Sequence, residues 1–165
     1  ISSGNLTSVD KGREQLAQLR TASSPKIYAT HQQMQAGLAS GEVDVVLNYK
    51  ARGLQWAKDL PLDIAYPAEG AVAITFGATM PKKAPNKEAG YVYLNAMLDR
   101  KAMADLAAAS FYAPANGAAQ LAVDLKAKID FSDSEKAKLK FPDYAYVAKN
   151  TAEWLEWWNK NVARS

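Results

Sequence analysis

Residues able to do covalent chemistry are scarce in this chain. It has no cysteine, which removes disulfides, thiolate metal sites and cysteine nucleophiles together. Its one histidine, His31, cannot alone build a histidine-rich zinc site or a serine–histidine–aspartate triad. Neither a G-x-x-x-x-G-K loop nor a G-x-G-x-x-G turn occurs, so the common nucleotide-binding motifs are missing. With no nucleophile–base pair and no ligand cluster, the chain reads as a non-enzyme with no catalytic residue, metal site or cofactor.

What remains is a set of polar and aromatic residues suited to holding a small molecule. Asn48 and Tyr49 end the apolar run "VDVVLNY", and a phenol offers a ligand one flat face and one donor. Glu69, Gly70 and Ala71 follow the next apolar run, where a glycine lets backbone approach a ligand closely. Tyr112 stands in the irregular stretch "FYAPAN". Thr30, His31 and Gln32 open a helix just after "KIYA", where an imidazole is expected to stay neutral. Plainer readings stand beside these: Tyr49 as a packing aromatic, Glu69 as a surface carboxylate, His31 as a hydrogen-bonding surface residue. Open α/β sheets bind ligands at the carboxyl ends of their strands. Asn48, Tyr49, Glu69, Gly70, Ala71 and Tyr112 are therefore expected to border one cleft, with Thr30, His31 and Gln32 at its rim.

The elements that must position these residues alternate in the first half of the chain. Thr7 with Asp10 has capping-box spacing and predicts a helix to about Arg20, stopped by Ser23, Ser24 and Pro25. "KIYA", "VDVVLNY", "LDIAY" and "AVAITFGATM" read as strands. Between them, Thr30 with Gln33 opens a helix that Gly41 closes, and residues 50–58 form another. The fold class is therefore α/β. From Asn86, a predicted N-cap, the chain is almost wholly helical, with interruptions at Asp99, at "FYAPANG", at Ser132 with Glu135, and at Pro142-Asp143.

Composition narrows the function classes further. The 165 residues are 48% hydrophobic and 22% charged, with 31 alanines, as in a helix-rich globular protein. Twenty Lys and Arg against 17 Asp and Glu leave +3, too small a surplus to argue for a nucleic-acid partner. The lysines at 126, 128, 136, 138 and 140 are threaded with Asp130, Asp133 and Glu135, the pattern of a solvated face. Apolar runs fall far short of the roughly 20 residues that span a bilayer. Trp154, Trp158 and Val162 share a helical stripe expected to face the core, while Trp157 lies off it.

Taken in order, "MQAGLASGEVDVVLNY", "PLDIAYPAEGAV", "MPKKAPNKEAGYVYLNAML", "FYAPAN" and "EWLEWWNKNV" resemble the second half of periplasmic solute-binding proteins of ABC transporters. The group it is most similar to is the spermidine/putrescine-binding type of the type II receptors. The resemblance implies a periplasmic-binding-protein-like (type II) fold, here one partial lobe plus a hinge strand and the helical part of the other lobe. Residues 1–70 would be the second-lobe portion, and 71–165 the returning hinge strand and the completion of the first lobe. It implies non-catalytic capture of a small solute in an interlobe cleft, a membrane permease as partner, and a periplasmic or extracytoplasmic location. Tyr49 matches a cleft tryptophan position of polyamine receptors, Tyr112 a cleft tyrosine, and Glu69-Gly70 the turn before the returning strand. That strand carries Ala73, Ile74, Thr75 and Phe76 where polyamine receptors place a tryptophan and a carboxylate, so the solute stays open. The opening "ISSGNLTSVD" has neither an initiator Met nor an export signal. A carboxyl-terminal fragment is expected, pairing with a missing amino-terminal half or swapping elements with a second copy. The other reading is a stand-alone helix-rich interaction module that docks a partner through its tryptophan-bearing last helix.

Overall fold

The computed structural model describes residues 9–163, and these are helix-rich. The helices are α1 (Asp10–Ser23), α2 (His31–Ser40), α3 (Lys50–Trp56), α4 (Lys87–Met97), α5 (Arg100–Ser110), α6 (Val123–Ile129), α7 (Asp133–Lys136) and α8 (Tyr144–Trp158). A π-helical turn, Asn159–Ala163, follows α8 directly. Local capping chemistry sets many of the boundaries. Asn86 Oδ1 accepts from Ala89 N–H at 3.0 Å, Asp99 Oδ1 from Lys101 and Ala102, and Asp143 Oδ1 from Ala145 and Tyr146. Ser132 and Glu135 form the full reciprocal box at the start of α7. Gly41 takes φ +72° just past α2, the left-handed geometry that a closing glycine supplies. Thr7 lies outside the described residues, and α1 begins after Val9 with no side-chain cap.

The four strands expected from the sequence do not form among the described residues. The runs 26–29, 43–49, 62–66 and 71–80 are non-helical chain without ladders, and the isolated parallel bridge Val72–Lys140 is what pairing they show. A strand exists only when a neighbouring chain accepts its N–H and C=O groups. Apolar residues alone cannot supply that neighbour. Val45 and Leu47, read as core of a strand covered on both faces, are instead 86% and 91% exposed.

The chain divides into two compact units. One comprises the described residues through Gly37, Tyr66–Ile74 and those from Lys138 on. Within it, Arg13 Nη2 pairs with Glu153 Oε1 at 2.7 Å while its guanidinium lies 5.5 Å from the Trp157 ring centroid, so α1 is tied to α8. Arg20 Nη1 donates to the Val162 carbonyl beyond α8, where a cation suits the helix end. Val162 is buried. Trp157, off the predicted stripe, is thus covered by an arginine.

The 66–74 segment of this unit docks on the chain at 138–140. Lys140 N–H donates to Ala71 O at 2.9 Å, and Ala73 N–H to Lys140 O at 2.8 Å. Lys138 Nζ reaches Ala68 O at 2.9 Å. Gly70 is buried at φ +103°, and a Cβ there would collide with the Lys138 carbonyl oxygen. The glycine is demanded twice, by conformation and by space.

The second unit, Leu38–Ala65 with Thr75–Ala137, is built around α3. Ala51 and Trp56 of α3, Ala107 of α5 and Ile129 of α6 are its buried apolar residues. Lys50 Nζ donates to Asp130 O at 2.6 Å, taking a carbonyl at the end of α6, and stands 4.2 Å from the Phe131 ring centroid. Burial pushes the Lys50 ammonium pKa down, opposed by the charges of Glu135 and Asp130. Beyond α6, the Lys136 hydrogen bond and then the Phe131 N–H hold the Asp130 carboxyl below its ordinary pKa. The Ser132 N–H and hydroxyl do the same for Glu135.

Two outcomes follow from these packings. Gly70→Ala should cost the unit that carries it about 3 kcal/mol or more, because a left-handed strain and a backbone clash add. Gly77→Ala, with open space around its Cβ position, should be close to neutral. Equal urea midpoints for the two variants would contradict the docking of the 66–74 turn. The second outcome concerns acid. Folded pKa values below the unfolded ones give stabilisation that is complete above the ordinary carboxylate range and is lost as pH falls through the folded values. An NMR titration should therefore find Glu135 protonating below an unstructured glutamate, with the Ser132 amide moving in step. A midpoint at or above the ordinary value would contradict the cap.

Candidate functional site

Three aromatic rings of the α3 unit form a row. Tyr49 and Phe76 meet edge to face with centroids 5.8 Å apart and planes at 76°. Phe76 and Tyr112 repeat the geometry at 5.4 Å and 71°. Such pairs exceed plain apolar burial by about 0.5–1.5 kcal/mol each. The central ring is nonetheless 63% exposed, and Tyr49 is 38% exposed. A row of rings that pack on one another yet keep their surfaces open suits a flat or apolar ligand.

Each end of the row is held by backbone. Tyr49 precedes α3 in extended geometry, φ −66° and ψ 138°, and its carbonyl accepts from Arg52 N–H at 3.0 Å and Gly53 N–H at 3.1 Å. Asn48 Oδ1 accepts from Tyr49 N–H at 2.8 Å, while Asn48 Nδ2 is shielded from solvent with no partner. At the other end, Phe111 closes α5 at φ 60° and ψ 11°, a left-handed conformation that a bulky residue adopts only under constraint. That constraint is visible. Phe111 N–H donates to Ala107 O at 2.8 Å, Gln55 Nε2 donates to Ser110 O at 2.7 Å, and Lys58 Nζ stands 4.8 Å from the Phe111 ring centroid. Arg52 Nη1 in turn holds Gln55 Oε1 at 2.7 Å. The turn so fixed delivers Tyr112 to Phe76.

Of the residues singled out from the sequence, Asn48, Tyr49 and Tyr112 belong to this unit, and Phe76 joins the two tyrosines. Thr30, His31, Gln32, Glu69, Gly70 and Ala71 belong to the other unit. There, Thr30 Oγ1 accepts from Gln33 N–H at 3.2 Å as a cap, and Glu69 is exposed. The room at Gly70 is taken by Lys138, and Ala71 O is spent on Lys140 N–H. Phe76, Arg52 and Gln55 were not legible as site residues. Phe76 stood out only as a departure from the polyamine-receptor pattern, and Gln55 reaches a carbonyl 55 positions away.

Among the described residues no group of three or more His, Asp or Glu side chains could hold a metal ion. No described helix is long and apolar enough to cross a membrane. Gln55→Ala removes a bond and strands the Ser110 carbonyl, so it should cost about 1–2 kcal/mol and abolish the cross-relaxation between the Phe76 and Tyr112 rings. Unchanged contacts between those rings in the variant would contradict the positioning of Tyr112 by Gln55.

No curated protein and no solved structure matches the chain. Residues 5–150, which include all three rings, Arg52, Gln55 and the Gly70 turn, match the family of bacterial extracellular solute-binding proteins. The chain therefore belongs to the bacterial extracellular solute-binding protein family.

Proposed function

We propose that this chain captures a small solute for the membrane permease of an ABC importer and leaves it chemically unchanged. The observation that carries the reading is the open Tyr49–Phe76–Tyr112 row, fixed at both ends and bordered by Asn48, whose Nδ2 has no partner. Thr30, His31, Gln32, Glu69, Gly70 and Ala71 are the positions proposed from the other unit. A spermidine/putrescine-like specificity has sequence resemblance in its favour. Against it stands the run Ala73, Ile74, Thr75 and Phe76, which offers no carboxylate, and an ammonium desolvated without a counter-charge costs several kcal/mol. The tryptophans of α8 do not favour a docking module, since Trp157 lies under Arg13 and Trp154 packs on Tyr146 at 5.7 Å.

The bare apolar positions Val45 and Leu47 of one unit, and Val72 and Ile74 of the other, support a companion proposal. These segments gain strand partners from further chain, either complementary lobe sequence or a second copy.

Thermal unfolding with a panel of polyamines, amino acids, thiamine and small carboxylates tests the capture reading. A solute at a hundred times its Kd stabilises by about 2.7 kcal/mol, which moves Tm by several degrees at this size. Phe76→Ala should abolish the shift. A panel that leaves both Tm and tyrosine fluorescence unmoved contradicts solute capture by this row.

A further inference from the structure

Arg52 is the charged residue at the row whose hydrogen-bonding capacity the packing does not use up. It is half-buried, and among the described residues its side chain makes a single hydrogen bond, Nη1 to Gln55 Oε1. Its Nε–H is shut off from solvent with no acceptor, and among the described residues it forms no ion pair. Arg13 of the other unit, by contrast, is paired with Glu153. A guanidinium carries five donors in a rigid fork that matches a carboxylate, and leaving it half-desolvated without an anion is costly.

Its placement is as telling as its lack of a partner. Arg52 rises from the same turn as Tyr49, whose carbonyl its own N–H engages at 3.0 Å. Through Gln55 it also reaches Ser110, whose Oγ accepts from Tyr112 N–H at 3.4 Å. Arg52 is thus linked to one end of the ring row by its backbone N–H and to the other by its guanidinium, through Gln55 and Ser110. The three stretches that carry the row, 48–58, 73–80 and 110–118, contain Lys50, Arg52 and Lys58 and not one acidic residue. Lys50 Nζ is engaged by the Asp130 carbonyl and Lys58 Nζ stands over the Phe111 ring, whereas Arg52 keeps a guanidinium nitrogen with no acceptor.

We infer that the solute of this site is a carboxylate attached to a flat ring. The ring lies on the Tyr49–Phe76–Tyr112 row, and Arg52, with the Asn48 amide beside Tyr49, receives the carboxylate. The inference rests on the capture reading above and adds the sign and shape of the solute to it. An anion accepting from the exposed edge of the Arg52 guanidinium would supply the counter-charge that the described residues do not, and such charge-assisted bonds are the stronger kind.

Calorimetric titration of the full chain with three probes of one shape tests this: phenylacetate, phenylacetamide and 2-phenylethylamine. Phenylacetate should bind about tenfold or more tighter than the amide, the margin expected of a hydrogen bond to a charged group. The amine should bind weakest. Arg52→Gln should bring phenylacetate down to the affinity of the amide, and Arg52→Lys, which keeps charge but not the fork, should fall between. Circular dichroism confirms that each variant is folded, and the three-probe ranking on the unaltered protein needs no variant at all. An amide or amine that binds as tightly as phenylacetate overturns the inference while leaving solute capture intact. No binding by these probes, together with silence across the wider panel, overturns both.

Discussion

α3 is seven residues long, too short to be stable on its own, and the candidate site depends on the two neighbours that grip it. Ala51 and Trp56 bury its inner face with Ala107 of α5 and Ile129 of α6. Gln55 then fastens it to the end of α5, and Lys50 fastens it to the end of α6. In each case a side chain satisfies a carbonyl that a helix end leaves without an internal partner. The same two bonds therefore close helix ends and hold the helix. The Gln55 bond has a further consequence, because the carbonyl it holds belongs to Ser110. The next residue, Phe111, is forced into a left-handed turn, and the one after it is Tyr112. A short helix, a strained turn and an aromatic row are linked by one amide side chain.

The other unit uses arginine for the same purpose. Arg13 and Arg20 on one helix hold Glu153 and the Val162 carbonyl on the carboxyl-terminal helix and its π-helical turn. Gly70 makes the docking of the 66–74 turn possible by having no side chain. Few residues in either unit are fully buried, and several large apolar ones are open to solvent. Helix α8, whose Trp154 and Trp158 read as part of a core stripe, has no fully buried residue.

What the sequence made legible was local. Asn86, Asp99, Ser132 with Glu135, and Asp143 could be read as caps or breaks because a cap is settled within four residues of chain. Gly41 could be read as a terminator for the same reason. The strands could not, because a strand is a statement about two chains, and Val45 or Leu47 looks the same in sequence with or without a neighbour. Tyr49 and Tyr112 stand out in the sequence by their positions at element ends, and Asn48 by preceding Tyr49; that they hold a solute is part of the proposed function. Phe76 and Gln55 do not stand out in the sequence because what they meet, the Tyr49 and Tyr112 rings and the Ser110 carbonyl, lies tens of positions away, and Arg52 because its one side-chain partner is Gln55. Gly70 was noticed for room near a ligand, whereas the room it supplies is filled by the backbone of Lys138.

The most direct measurement is fluorine NMR on the chain carrying 3-fluorotyrosine, titrated with the tightest solute of the panel. If Tyr49, Phe76 and Tyr112 form one solute surface, the resonances of Tyr49 and Tyr112 should move together along a single binding curve. Tyr146, packed on Trp154 in the other unit, serves as the reference for an unaffected ring. Movement of only one of the two row tyrosines, or of neither while the solute demonstrably binds, would contradict the account.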